Sequence, residues 1–268
     1  MMQFETITYN DLNEIRNLQP DGWSDIVPDL ELYIKSEFCH PIKTKVNNKI
    51  VGIGSSIVFD NTSWIAHIIV DSNFRKRGIG YQIVSELIER LKHDSIDTCS
   101  LIATESGKPI YSKAGFRVVT EYSFMRRENP WRDKSISRNV ISFQEKYRSM
   151  IYESDKRISG ENREKLLTNY LSNSMVYIDN NEVAGYYIPD LKEGLIFADT
   201  INAGLDLMKI KYSKIDKAVL PSDNIVGVEF LKQNGFVESG TKGTRMIFGK
   251  DIDWKPEKIY SRIGGNFG

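Results

Sequence analysis

The chain has 268 residues, 40% of them apolar and 27% charged, a balance that fits a folded globular protein with room for one large domain or two ordinary ones. Lys+Arg and Asp+Glu are equal at 36 each, so no net field recruits nucleic acid or an anionic membrane. Two cysteines (Cys39 and Cys99) are too few for a disulfide framework, and His40, His67 and His93 show no ligand spacing, so no metal is expected.

Strand and helix signals alternate through the first half. "QFETITY" is short and rich in β-branched and aromatic residues, as a strand would be. "NDLNEIRNL" follows with Leu12, Ile15 and Leu18 at helical spacing, and "DLELYIKSEF" predicts a second helix beyond the turn-rich "QPDGWSDIVP". A hairpin is expected over "HPIKTKVNNKIVGIGSSIVFD", turning at Asn47-Asn48, and "TSWIAHIIV" has the near-continuous apolar run of a buried central strand. From Gly80 the period changes: Ile79, Ile83, Val84, Leu87, Ile88 and Leu91 mark one helix face. "DTCSLIAT" is another buried-type strand, "GKPIYSKAG" a short helix stopped by Gly115, and "FRVVTEYSFMRR" a closing strand.

After the polar, Pro-containing "ENPWRDKS" the order of elements partly repeats. "YSKAGFRVVTEYSFMRRE" parallels "LKQNGFVESGTKGTRMIFGK": each is a short helix, a small-Gly-Phe turn and a strand ending in Met and basic residues. Two similar α/β (α+β) domains are therefore expected: residues 1–127, a linker at 128–136, a second domain at 137–250 and a tail at 251–268 that packs on the surface through Trp254 and Tyr260. The first residues lack an apolar signal core and no run approaches a membrane span, so the expectation is a cytoplasmic protein.

One stretch stands out chemically. "VDSNFRKRGIGYQIV" sets Arg75, Lys76 and Arg77 ahead of Gly78 and Gly80, between the apolar strand and the amphipathic helix. A helix N-terminus carries unpaired amides and partial positive charge, and glycine lets the backbone approach an anion closely, so this turn is a candidate pyrophosphate cradle. The bland alternative is a solvated basic turn. No G-x-x-x-x-G-K-[ST] is present, and "GIGSSI" at 52–57 has Ile57 where a dinucleotide fingerprint needs its third glycine.

The Arg75-x-x-Gly78-x-Gly80 loop after a strand ending in Val70, followed later by Tyr111-x-x-x-Gly115-Phe116, resembles the GNAT-type N-acetyltransferases over residues 3–127. That resemblance implies two tandem GNAT-like domains, each a mixed, mostly antiparallel twisted sheet flanked by helices. It also implies acetyl-CoA as cosubstrate. Ile68, Ile69 and Val70 would offer main-chain contacts to the pantetheine arm, Arg75, Lys76, Arg77, Gly78, Ile79 and Gly80 would hold the pyrophosphate, and Thr104 and Gly107 are weaker candidates. Tyr111 would be the general acid for the departing thiolate, a backbone N–H of the strand serving the oxyanion.

The second half is similar to the shortened YitH-type acetyltransferase-like domain found behind a complete GNAT domain, through Asp155, Gly160 and Arg163 in "SDKRISGENREKLL". Its counterpart of the loop, "FADTINAGLDLMKI", has no Arg before the lone Gly204, and Leu231 stands where the first half has Tyr111. This half is expected to bind no cofactor productively and to shape or cover the acceptor pocket, or to be purely structural.

No base follows from the residues. Strand alternation puts Trp64, Ala66, Ile68 and Val70 on one face and Ile65, His67 and Ile69 on the other, so His67 reads as a hydrogen-bonded core residue unless a bulge resets the parity. Trp23 and Trp64 are candidate walls of the acceptor pocket, and Asp21, Asp25 and Asp29 either favour a cationic amine or merely solvate a loop. The leading expectation is an acetyl-CoA-dependent N-acetyltransferase acting on a small-molecule primary amine, as a monomer or homodimer. The alternatives are a protein lysine or N-terminal acetyltransferase and a non-catalytic acyl-CoA-binding sensor.

Overall fold

The structure is a computed structural model that describes residues 2–129 and 137–268, so residues 130–136 of the expected linker lie outside it. Within the described residues the first half forms β1 (Phe4–Thr6), α1 (Leu12–Ile15), α2 (Val27–Lys35), β2 (Cys39–Val46), β3 (Lys49–Phe59), β4 (Thr62–Val70), α3 (Ile79–His93), β5 (Thr98–Ala103), α4 (Lys108–Lys113) and β6 (Arg117–Arg127). The second half forms β7 (Val140–Ser142), α5 (Arg148–Ser159), α6 (Glu164–Leu167), β8 (Met175–Asp179), β9 (Glu182–Ile188), β10 (Leu195–Ala198), α7 (Ile201–Tyr212), β11 (Lys217–Pro221), α8 (Ile225–Gln233), β12 (Phe236–Gly249) and β13 (Ile259–Ser261).

These elements gather into two units, and neither is contiguous. The first comprises Met1–Val118, Met246–Asp251 and Gly265–Phe267; the second comprises Val119–Arg245, Ile252–Gly264 and Gly268. The boundaries expected from the sequence are 127 and 137. Instead the bulk of β6 goes with the second unit, and the end of β12 goes with the first. Met246 is fully buried in the core of the first unit, Phe248 stacks 5.6 Å from Phe116, and the Thr98 hydroxyl donates to the Lys250 carbonyl at 2.9 Å. Conversely, Met125 of β6 is buried in the core of the second unit.

In the first unit the strands run β1-β2-β3-β4-β5, antiparallel except for the parallel β4–β5 pair. Asn47 and Asn48 turn the β2–β3 hairpin with φ of 49° and 64°, the left-handed pair of a type I′ turn that asparagine tolerates. The apolar face of α3 lies on β3. A Cβ on Gly52 would stand 2.8 Å from the Ile83 side chain, and one on Gly54 would stand 2.6 Å from it. The glycines of "GIGSSI" therefore exist to let α3 approach the sheet.

The second unit repeats the plan. Asn180 and Asn181 turn the β8–β9 hairpin with φ of 50° and 66°, and β10, α7, β11 and α8 follow. One sheet runs β13-β10-β9-β8-β7, and β11 pairs antiparallel with β6. The Asp155, Gly160, Arg163 spacing is a folding device. Gly160 ends α5 in a left-handed cap (φ 74°), and the chain folds back so that Arg163 donates two hydrogen bonds to Asp155, at 2.9 and 2.6 Å. The Tyr186 hydroxyl donates a third at 2.7 Å.

Only part of the tail lies on the surface: residues 251–258 are exposed or half-buried, and the chain from Ile259 onward turns inward. Trp254 takes the Arg245 guanidinium over its ring at 4.1 Å, but Tyr260 is buried and β13 is a strand of the core. The apolar Ile259, Tyr260 and Ile263 explain this: each is removed from water at roughly 25 cal/mol per Å² of apolar surface.

Candidate active site

The turn between β4 and α3 has the form a bound anion needs. Gly78 is the N-cap of α3 with φ 80°, no side chain caps the helix, and Arg75, Lys76, Arg77 and Gly78 are exposed. Ile79 and Gly80, the first helical residues, are buried on their side-chain faces. The first-turn amides thus face outward without a capping oxygen. Arg75 donates through Nε to the Val70 carbonyl at 3.2 Å, and the Arg77 guanidinium lies 5.0 Å from the Phe74 ring centre. Asp71 is engaged elsewhere: Lys49 donates to it at 2.7 Å, and hydrogen bonds from Lys49 and Asn73 lower its pKa. No carboxylate of the turn is left to neutralise the cradle.

Beside this turn the sheet opens. The parallel ladder between β4 and β5 covers Thr62, Ser63 and Trp64 against Thr98, Cys99 and Ser100, whereas β4 runs on to Val70 and β5 to Ala103. The ladder stops short of both strand ends, so among the described residues main-chain groups of Ile68, Ile69 and Val70 border a slot with no strand partner on that side.

A β-bulge sits at the mouth of the slot. Ile53 pairs with Ile69 and Ser55 with Ala66, which leaves His67 and Ile68 together opposite Gly54. His67 takes the left-handed conformation, φ 52°. Simple alternation therefore fails: Ile65, Ile68 and Val70 share the core beneath α3. Trp64 is fully buried, so the expectation that it walls an acceptor pocket is corrected.

Tyr111 lies on α4, whose Ile110 stands near Gly80: a Cβ on Gly80 would be 3.5 Å from the Ile110 side chain. Its ring is packed edge-on to Phe116 at 5.9 Å, and burial raises the phenol pKa. Thr104 and Gly107 serve the start of α4, the Gly107 amide donating to the Thr104 carbonyl at 3.0 Å and to its hydroxyl at 3.2 Å.

On the other side of the bulge, Trp23 is 45% exposed and its ring lies edge-on to His67 at 6.1 Å. With Arg16, Gln19 and Asp25 it lines an open cavity of about 330 Å³. Asp25 accepts a hydrogen bond from the Val27 amide at 3.0 Å, the ordinary helix-start role. His67 Nδ1 is 3.0 Å from the Tyr33 hydroxyl, and its Nε2 is 3.6 Å from Asp29. Burial pushes the imidazole down to about 4, which leaves it neutral at pH 7. Tyr33 and Asn266, both in contact here, carried no signal in the sequence; Asn266 joins the group only because the tail folds back.

The second unit has the same parts with the openings filled. Thr200 caps α7 by accepting from the Ala203 amide at 3.3 Å, and Tyr260 packs directly on Gly204. Strand β13 pairs with β10, and Arg262 just beyond it donates its amide to the Val219 carbonyl of β11 at 3.2 Å. The tail thus occupies with its own backbone the place that corresponds to the β4–β5 slot.

Residues 19–131 match the family model described as "Acetyltransferase (GNAT) domain". No curated protein sequence matches significantly. Among solved structures, a putative acetyltransferase from Pyrococcus horikoshii overlays at a TM-score of 0.82 with 18% identity, covering 100% of this chain and 96% of that one. A GCN5-related N-acetyltransferase from Sphaerobacter thermophilus overlays at 0.64 with 12% identity, covering 95% and 98%. A GCN5-related N-acetyltransferase from Anabaena variabilis overlays at 0.58 with 12% identity, covering 92% and 72%. At such identities the overlays speak for the fold, which extends over nearly the whole chain, and the family model adds that residues 19–131 are similar to an acetyltransferase (GNAT) domain.

Proposed function

We propose that the protein is an acetyl-CoA-dependent N-acetyltransferase that acetylates a primary amine of a small molecule. The carrying observation is the pairing of an uncapped, glycine-opened helix start with the slot between β4 and β5. The amides of residues 78–80 and the Arg75–Arg77 cations would hold the diphosphate, while the edge of β4 at Ile68–Val70 would hydrogen-bond the amide-bearing arm and direct the thioester toward the bulge.

Acetyl transfer requires a neutral amine nitrogen to attack the thioester carbonyl carbon, the C–S bond to break, and the thiolate to gain a proton. A β4 amide serves the oxyanion and the Tyr111 hydroxyl supplies the proton. The apolar surroundings that raise the Tyr111 phenol also raise a thiolate leaving beside it, so the two pKa values move together. His67 is unsuited as the base, because burial lowers its basicity and Tyr33 occupies Nδ1. The amine proton leaves through water at the open mouth near Trp23.

Thiol release from acetyl-CoA against amino acids, polyamines, aminoglycosides, arylalkylamines and peptides tests this reading. Turnover with a small amine supports it, turnover with peptides alone moves the acceptor to protein, and slow turnover with all of them leaves an acyl-CoA-binding module.

A further inference from the structure

The cavity beside the bulge is lined by a cation and a carboxylate that do not meet. Arg16 stands on the 3-10 turn that follows α1 (Arg16–Leu18), and Asp25 stands on the approach to α2. One oxygen of Asp25 accepts from the Val27 amide at 3.0 Å. Among the described residues the Arg16 guanidinium and the other Asp25 oxygen have no hydrogen-bond or ion-pair partner, and the two side chains are not paired with each other. Gln19 holds the segment that carries the carboxylate. Its Nε2 donates to the Trp23 and Ser24 carbonyls at 3.1 and 2.9 Å, and its Oε1 accepts from the Ile26 amide at 3.1 Å. Both ends of one side-chain amide are thus used on one loop, which fixes the orientation of Gln19 and the course of the chain around it. The wall of the cavity is formed before a ligand arrives, so little loop ordering opposes binding.

Trp23 connects these charges to the bulge, because it lines the same cavity and its ring lies edge-on to His67. A volume of about 330 Å³ is near the lower end of the ~300–1,000 Å³ of small-ligand pockets, room for a molecule of amino-acid size. Two separated opposite charges beside an exposed indole complement a ligand that carries a carboxylate, an ammonium and an apolar group. We propose that the acceptor is a free amino acid with an apolar side chain, bound as its zwitterion. Arg16 takes the carboxylate, Asp25 receives the ammonium, and Trp23 covers the side chain. Arg16 is the selective member, since a guanidinium meets a carboxylate through two parallel N–H bonds that a bare amine cannot satisfy. Gln19 is a positioning residue that acts through the loop. The acceptor role rests on the acetyltransferase reading; the binding of the amino acid does not.

Calorimetry on the full chain, with and without coenzyme A, should compare phenylalanine with phenethylamine, which lacks the carboxylate, and with 3-phenylpropionate, which lacks the amine. Phenylalanine should bind about tenfold or more tightly than either. Arg16→Met should remove its advantage over phenethylamine, and Asp25→Asn its advantage over 3-phenylpropionate. Both side chains are exposed, and asparagine keeps an oxygen for the Val27 amide, so the variants should fold. Equal affinity for the three ligands, advantages that survive the substitutions, or no binding of phenylalanine overturns the proposal. Thiol release from acetyl-CoA separates the two readings. Release with amines irrespective of a carboxylate keeps the enzyme and overturns the amino-acid site, whereas selective binding of phenylalanine without release keeps the site and removes the acetyl transfer.

Discussion

Gly204 lies directly beneath the ring of Tyr260, too close for any Cβ to stand between them. In the sequence it looked like the remnant of an anion loop; in the fold it is the floor on which the tail packs. Gly204→Ala should therefore act as an overpacking change and lower stability by ~1–3 kcal/mol, with a lower Tm. The first unit keeps its own core, so acetyl-CoA affinity measured below the melting range should stay within about twofold. A melting temperature equal to that of the unaltered protein would show that Tyr260 moves aside freely.

The same packing predicts stoichiometry. With Thr200 capping α7 and β13 paired to β10, the second unit offers neither an open helix start nor an open slot. Calorimetric titration should count one acetyl-CoA per chain, and a count of two would refute the view that the tail fills the second opening.

The periodic signals in the sequence were faithful to the elements they predict. The α3 face from Ile79 to Leu91, the Asn47-Asn48 turn and the Arg75–Gly80 loop all depend on local spacing and on backbone freedom at named residues. What spacing could not convey was partnership over distance. β6 and β12 carry such similar patterns that nothing in either says which unit each completes, and the structure divides them crosswise. The bulge at His67 adds no residue type of its own, so period-2 reasoning misplaced Ile68 and Val70, and Trp64 with them. Asn266 is one more asparagine in a glycine-rich end until the tail brings it to Tyr33.

If Tyr111 supplies the proton to the thiolate, Tyr111→Phe should cut turnover by roughly 10²-fold. The edge-on packing against Phe116 needs only the ring, so acetyl-CoA affinity should remain within a few fold. Single-turnover thiol release is the appropriate readout, because it isolates the chemical step from product loss. Unchanged single-turnover rates would remove Tyr111 from the chemistry and leave it a packing residue.

Arg163 and Asp155 form an ion pair that is almost wholly buried, with side-chain exposures of 2% and 1%. Replacing Arg163 by Met leaves the Asp155 carboxylate in the interior with the Tyr186 hydroxyl but without its cation. Breaking such a pair from one side costs ~3–5 kcal/mol. Urea unfolding should show that loss, and Asp155→Asn combined with Arg163→Met should recover part of it, since the Asp155 charge is then gone; the buried Glu161 carboxylate, which also faces Arg163, keeps the recovery incomplete. A double variant no more stable than the single one would show that shape, not charge, governs this turn.

His67 gives the molecule a pH dependence whose sign follows from its depressed pKa. Burial holds the native imidazole near 4, against ~6.5 in an unfolded chain. Between those values the unfolded chain binds a proton that the native fold refuses, so stability is complete above about pH 6.5 and falls as the pH drops toward 4. Below that both states are protonated and the loss levels off. The full window amounts to at most about 4 kcal/mol, and a carboxylate at 3.6 Å, Asp29, works against it by favouring the charged ring. Carboxylates titrate in part of the same range, so the informative quantity is the difference between the unaltered protein and His67→Gln. Urea unfolding at pH 7, 6 and 5 should give the variant the flatter profile. Equal profiles would mean that the native ring is already charged at pH 6 and paired with Asp29.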